Sequence, residues 1–162
     1  HMRERKMTRV LFVCTGNICR SPTAEGVARH FIEVRGLSDR IVVDSAGTNG
    51  YHVGEAPDPR TQKAALRRGY DLSKLRARKL EHFDFQRFDL LLAMDRGHLD
   101  IMRRACPEPY KGRLDLLMRY ARDSEFDEVP DPYYGGPTGF DAVLDMCEDA
   151  VQGLLDDILK RA

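Results

Sequence analysis

Val10-Leu11-Phe12-Val13-Cys14-Thr15-Gly16-Asn17-Ile18-Cys19-Arg20-Ser21-Pro22 is the stretch on which the reading of this chain turns. Arg9 to Val13 is a short run whose unbroken apolar character suits a strand buried on both faces. Pro22 suits the first position of a helix and Ser21 its cap. Glu25 then falls in the first turn, and Ala24, Val27, Ala28 and Phe31 share one face. A strand feeds a tight loop, and the loop feeds a helix.

That loop is a Cys, five residues and an Arg. Backbone N–H groups of such a loop and of the helical turn after it converge on one point, which the helix dipole makes electropositive. An anion belongs there. Arg20 is placed to return its planar guanidinium over the loop and hold two phosphate oxygens, a bidentate grip that Lys lacks. The same positive field favours the thiolate of Cys14 and so a nucleophile. Gly16 offers backbone freedom for the curl, Asn17 tolerates a left-handed conformation, and Ser21 can donate its hydroxyl to the sulfur. Taken alone, a strand-end Cys is more often a small buried hydrophobe. Gly16, Asn17, Arg20, Ser21 and a helix start, all in register with it, turn the segment into a phosphate loop. Cys19 is read as the thiol that traps an oxidised Cys14 in a reversible disulfide, with a structural loop residue as the alternative. Cys147 falls on an apolar stripe and reads as core.

Outward from the loop, short apolar runs alternate with longer amphipathic ones, the pattern of α/β units on a parallel sheet. Ile41-Val42-Val43 reads as a second strand, with Asp44 to Gly47 as a polar loop after it. Asp58-Pro59 opens a helix through Leu66 that closes near Gly69. Leu90 to Met94 reads as a third strand, followed by Asp95 and a helical stretch to Arg104. Leu114 to Met118 is the candidate fourth strand. Phe140, Val143, Leu144, Cys147, Val151, Leu154, Leu155 and Ile158 recur at steps of three and four, a long amphipathic helix.

The 162 residues suit a single domain with one core. His1-Met2 reads as a cloning scar, residues 1–7 as a disordered segment and 8–162 as the domain. No apolar run approaches the ~20 residues of a membrane span. Lys plus Arg and Asp plus Glu both total 26, so no basic excess argues for a nucleic-acid partner. Four cysteines in this length are too few for a disulfide framework, and a reducing, cytoplasmic setting is expected.

Phosphate esters leave poorly unless an acid protonates the departing oxygen, so a carboxyl group is expected near the loop mouth. Asp131-Pro132-Tyr133-Tyr134-Gly135-Gly136 is the candidate: Pro132 stiffens the turn and Tyr133 and Tyr134 can flank an aromatic ring. On spacing alone this segment divides evenly between that role and a surface turn.

Val10 to Ser21, Asp44-Ser45-Ala46-Gly47-Thr48, His52-Val53-Gly54 and Asp131 to Gly135 together resemble the low-molecular-weight protein tyrosine phosphatases over nearly the whole chain. The resemblance implies a four-stranded parallel sheet with helices on both faces and no metal or organic cofactor. It implies Cys14 as nucleophile, Arg20 as phosphate-binding residue, and Asp131 as general acid and then base. Asn17, Ser21 and Ser45 form the hydrogen-bond network of the loop; Thr15, Gly16, Ile18 and Cys19 complete it around the phosphate. Tyr51 stands where relatives often carry Trp and is expected to wall the pocket with Tyr133 and Tyr134. Leu75 stands where relatives often place a loop-supporting His. Ile18, where relatives acting on phosphoarginine have Thr, narrows the pocket toward a flat aryl ester. The expected partners are a phosphotyrosine-containing protein as substrate and a cognate tyrosine kinase, with no nucleic acid or membrane, and the enzyme is expected to be a monomer.

Three other functions could use parts of this sequence. Arsenate reduction on the same kind of loop needs a relay of further cysteines, and Cys106 and Cys147 sit in no obvious mobile segment. A non-catalytic phosphotyrosine-binding module has no need of Asp131. A zinc site would need ligand spacing that His30, His52, His82 and His98 do not show with the cysteines.

Overall fold

The computed structural model describes residues 6–133 and 138–161. In chain order the elements are β1 (Thr8–Cys14), α1 (Arg20–Val34), β2 (Ile41–Gly47), α2 (Pro59–Arg67), α3 (Asp84–Arg87), β3 (Leu90–Ala93), α4 (Arg96–Ala105), β4 (Leu114–Leu116) and α5 (Thr138–Arg161), with 3₁₀ turns at Glu108–Arg113 and Leu117–Tyr120. The four strands are parallel in the order β2-β1-β3-β4.

Successive side chains of a strand point to opposite faces, and β1 uses both for core. Val10 and Phe12 meet α1 and α5 on one face, while Leu11 and Val13 meet Phe85 of α3 and Leu99 and Met102 of α4 on the other. All four β1 side chains are fully buried. Each such burial contributes about 1.5–3 kcal/mol, which is why the strand tolerates no alternation. β1 therefore anchors the sheet, and Cys14 at its carboxyl end inherits that rigidity.

The chain leaves β1 through α1 to reach β2 on one side, and later reaches β3 on the other. A reversal of strand order like this opens a crevice at the carboxyl ends of the strands, the usual ligand position in open α/β sheets. Cys14 lies at that point.

Some local expectations need correction. β2 runs on through Asp44 to Gly47, because Leu11 to Cys14 pair with those residues in register. β4 ends at Leu116, and Leu117 and Met118 belong to a 3₁₀ turn. Helix α3 has four residues, too few to show a helical period. Helix α1 begins at Arg20, with Cys19 at the cap position and no side-chain cap, so Ser21 does not cap it. The cap at Asp58 holds: its carboxylate accepts from Arg60 N, with Pro59 at the first helical position.

Candidate active site

The loop from Cys14 to Arg20 is held from outside by its carbonyl groups. Thr48 N donates to Cys14 O at 2.8 Å, Asn49 N to Thr15 O at 3.1 Å, and Asp58 N to Ile18 O at 2.9 Å. Asn17 alone among the described non-glycine residues has positive φ, 59°, the left-handed turn expected of it. Gly16 has no such φ; it is glycine for space, since a Cβ there would stand 2.9 Å from His52 Cδ2. Gly47, at the end of β2, is held to glycine by Thr15 O, which a Cβ would approach to 2.7 Å.

Beneath the loop, Asn17 Nδ2 donates to Ser21 Oγ at 2.8 Å and Ser45 Oγ at 2.9 Å, and Asn17 Oδ1 accepts from Arg78 N at 3.0 Å. Ser45 Oγ passes its own proton to Glu25 Oε1 at 2.6 Å. Because Ser21 Oγ already accepts from Asn17, its hydroxyl proton is left for Cys14 Sγ, 2.8 Å away. Asn17, Ser21, Ser45 and Glu25 are all buried, and the fully connected network gives the loop one arrangement. Glu25 lies beyond the first turn of α1, which begins at Arg20, and is 2 % exposed. Burial pushes its carboxyl above the usual range, against hydrogen bonds from Ser45 and Arg29 that favour the ion. Leu75 packs against the core and takes no part in this network; the backbone N–H of Arg78 supplies the third contact to Asn17.

Arg20 is 4 % exposed and held at both terminal guanidinium nitrogens. Nη1 donates to Asp95 Oδ2 at 2.9 Å and Val129 O at 3.1 Å; Nη2 donates to Thr15 Oγ1 at 3.2 Å. Asp95 also caps α4 by accepting from His98 N at 2.9 Å. Burial works against its charge, but the hydrogen bond from His98 N and the Arg20 guanidinium outweigh it and hold the carboxyl below its usual range.

His98, which shows no zinc-ligand spacing in the sequence, reaches the loop across 83 residues. Its Nε2 lies 2.6 Å from Thr15 Oγ1 and 3.4 Å from Arg20 Nη2, and its Nδ1 lies 3.1 Å from Asp95 Oδ1, without the alignment of a good hydrogen bond. Burial first, then the Arg20 charge, lowers His98 to about 4, so the ring is neutral near pH 7 and Nε2 can accept the Thr15 proton. Its signal was positional: three residues after Asp95, at the end of β3.

Over the loop opens a pocket of about 200 Å³, its floor formed by Cys14, Thr15, Gly16, Ile18, Cys19 and Arg20 and its rim by His52, Asp131 and Tyr133. That volume suits a phosphate and little more than one ring. The Asp131 side chain is 45 % exposed, with Oδ2 3.9 Å from Arg20 Nη2 and Oδ1 accepting from Tyr133 N at 3.0 Å. Tyr51 is 87 % exposed and outside the pocket lining, where His52 stands instead. Tyr134, Gly135 and Gly136 lie outside the described residues. Cys19 is buried, which pushes its thiol up to about 12, so it stays protonated near neutrality.

A sulfur at the floor of an anion cradle, with a clamped guanidinium beside it and a carboxyl at the rim, can displace an oxygen leaving group from phosphorus and carry the phosphoryl group meanwhile. That chemistry defines a cysteine-dependent phosphatase. The family model for low molecular weight phosphotyrosine protein phosphatase matches residues 9–162, so the chain belongs to that family. A low molecular weight protein-tyrosine-phosphatase of Streptomyces coelicolor is 48 % identical over 91 % of each chain, and the human low molecular weight phosphotyrosine protein phosphatase is 37 % identical over 96 % of this chain and 98 % of its own. Among solved structures, the protein tyrosine phosphatase of Entamoeba histolytica superposes with a TM-score of 0.92 at 39 % identity, covering 94 % of this chain and 97 % of that one.

Proposed function

We propose that the protein hydrolyses phosphotyrosine in proteins, and small aryl phosphates, through a phosphocysteine on Cys14. The observation that carries this reading is that Asp131, far along the chain from the loop, lines the same small pocket as Cys14 and Arg20. In the first step the Cys14 thiolate attacks phosphorus in line with the tyrosyl oxygen. The S–P bond forms as the P–O bond breaks, and Asp131 gives its proton to the departing phenolate. Arg20 and the loop amides hold the phosphoryl oxygens as charge moves onto them. In the second step water attacks phosphorus while Asp131 takes its proton; the S–P bond breaks, inorganic phosphate forms, and the Ser21 hydroxyl receives the returning thiolate. Ionised Cys14 and protonated Asp131 are needed together, so the first step has a bell-shaped pH dependence.

Ile18 supports aryl esters over phosphoarginine, because an apolar side chain on the pocket floor offers no partner to a guanidinium. Tyr133 at the rim is the aromatic flank for the substrate ring. A cytoplasmic monomer opposing a tyrosine kinase is the setting that fits; among the described residues no helix is long and apolar enough to cross a membrane.

The test is initial rates on matched phosphotyrosine, phosphoserine and phosphoarginine peptides, with chelator, for wild type and Cys14→Ser. Cys14-dependent release from phosphotyrosine alone is expected. Preference for phosphoarginine overturns the role of Ile18, and release that survives Cys14→Ser overturns the mechanism.

A further inference from the structure

Arg60 lies in the first turn of α2, outside the pocket lining, and its guanidinium is engaged on two sides. Toward its own helix, Nε and Nη2 donate to the two oxygens of Asp58 at 3.1 and 2.9 Å. Away from it, Nη1 donates to the carbonyl oxygen of Tyr133 at 3.1 Å, and the guanidinium carbon stands 5.1 Å from the centre of the Tyr133 ring and 4.9 Å from that of Phe140. Both ends of this arrangement run into the pocket. Asp58 N donates to Ile18 O in the phosphate loop at 2.9 Å, and Tyr133 N donates to Asp131 Oδ1 at 3.0 Å.

We propose that Arg60 is a positioning residue: it fixes the carboxyl group of Asp131 over the phosphate loop by tying the Asp131–Tyr133 turn to the Asp58 that is itself bonded to Ile18. The inference rests on the reading of Asp131 as general acid. Asp131 gains little placement from Arg20, whose nearest nitrogen is 3.9 Å away, beyond hydrogen-bond reach. Nor does Arg60 serve as a second phosphate cation. Its charge is matched by Asp58, whose carboxyl the Arg60 hydrogen bond holds below the usual range. What remains is geometric: a planar fork that spans a carboxylate, a backbone carbonyl and two rings, which a lysine cannot do.

Placement of an acid differs from placement of a phosphate in its dependence on the leaving group. A phenol of pKa about 10 needs the proton in the transition state, and a much more acidic nitrophenol needs it far less. The experiment measures kcat/KM on phenyl phosphate and p-nitrophenyl phosphate, with the inhibition constant of inorganic phosphate, for wild type, Arg60→Ala, Arg60→Lys and Asp131→Ala. Arg60→Ala is expected to lose about 10-fold or more on phenyl phosphate and under about 3-fold on p-nitrophenyl phosphate, with phosphate inhibition unchanged. Arg60→Lys falls between it and wild type. Equal losses on both substrates, or weaker phosphate inhibition, overturn the proposal, since the residue would then act on the loop or the fold. Should Arg60→Ala lose its far-UV circular dichroism, Arg60→Lys carries the same comparison. Asp131→Ala separates the two assignments: leaving-group dependence in it without any in the Arg60 variants removes the strut alone, and its absence in Asp131→Ala removes the acid itself.

Discussion

In the proposed mechanism the phosphate loop and the Asp131 turn serve one reaction, and the two are built in opposite ways. Cys14 and Arg20 are 3 % and 4 % exposed, stand at or just after the buried carboxyl end of β1, and are held by Ser21 of α1, Asp95 at the cap of α4 and the Val129 carbonyl. Asp131 is nearly half exposed and reaches the rest of the molecule through Tyr133 and Arg60. The difference follows from what each half must do. A phosphoryl group with two to three negative charges is best met by donors that do not reorganise. A proton donor has to serve a substrate that arrives and leaves, and then a water molecule.

Variants can break or sharpen this contrast. The largest effect is expected at the floor: Cys14→Ser should lower steady-state phosphate release by about 10⁴-fold or more, and turnover within about 100-fold of wild type would end the case for a phosphocysteine. Arg20→Lys comes next. It keeps the charge but loses the fork shared with Asp95, Val129 and Thr15, and kcat/KM should fall about 10²–10³-fold with weaker phosphate inhibition. Asp131→Ala should cost about 10²-fold on phenyl phosphate and leave phosphate inhibition as it was; a loss in both would mean the two halves are not separable.

The smallest effect concerns the buried support. His98 has its folded pKa depressed to about 4 from 6.5, so between those values the unfolded chain binds a proton that the folded chain does not. The stability associated with the neutral ring is complete above pH 6.5 and lost as pH falls toward 4, up to about 3 kcal/mol over that window. His98→Asn should flatten this decline, read by urea unfolding at pH 7 and pH 5, whatever it costs at neutrality. An unchanged slope would show that the ring takes up its proton without disturbing Arg20.

The same contrast explains what was legible in the sequence. The Cys14–Pro22 loop is local: its strand, turn and helix start are contiguous, and each residue type has a physical reason at its place. The cap at Asp58 was legible for the same reason. His98 to Thr15, Arg60 to Tyr133 and Glu25 to Ser45 are contacts across 83, 73 and 20 residues, and no periodicity reports them. Glu25, placed by sequence in a first turn, lies beyond it because α1 begins at Arg20, and it is buried. Asp44 to Gly47 looked like a loop because its polarity serves the buried network while its backbone still pairs with β1.

Helix α1, which carries Arg20 and Ser21, lies against α5, whose Val143, Leu144, Cys147, Val151, Leu154 and Leu155 share its core. Synthesis proceeds from the other end of the chain. The nascent polypeptide presents its cysteine and arginine early, yet the face of α1 that must be dry to set them stays wetted until residues 138–161 have left the ribosome. In the proposed mechanism, setting Cys14 and Arg20 thus waits on the synthesis of α5, some hundred and twenty residues after the loop itself.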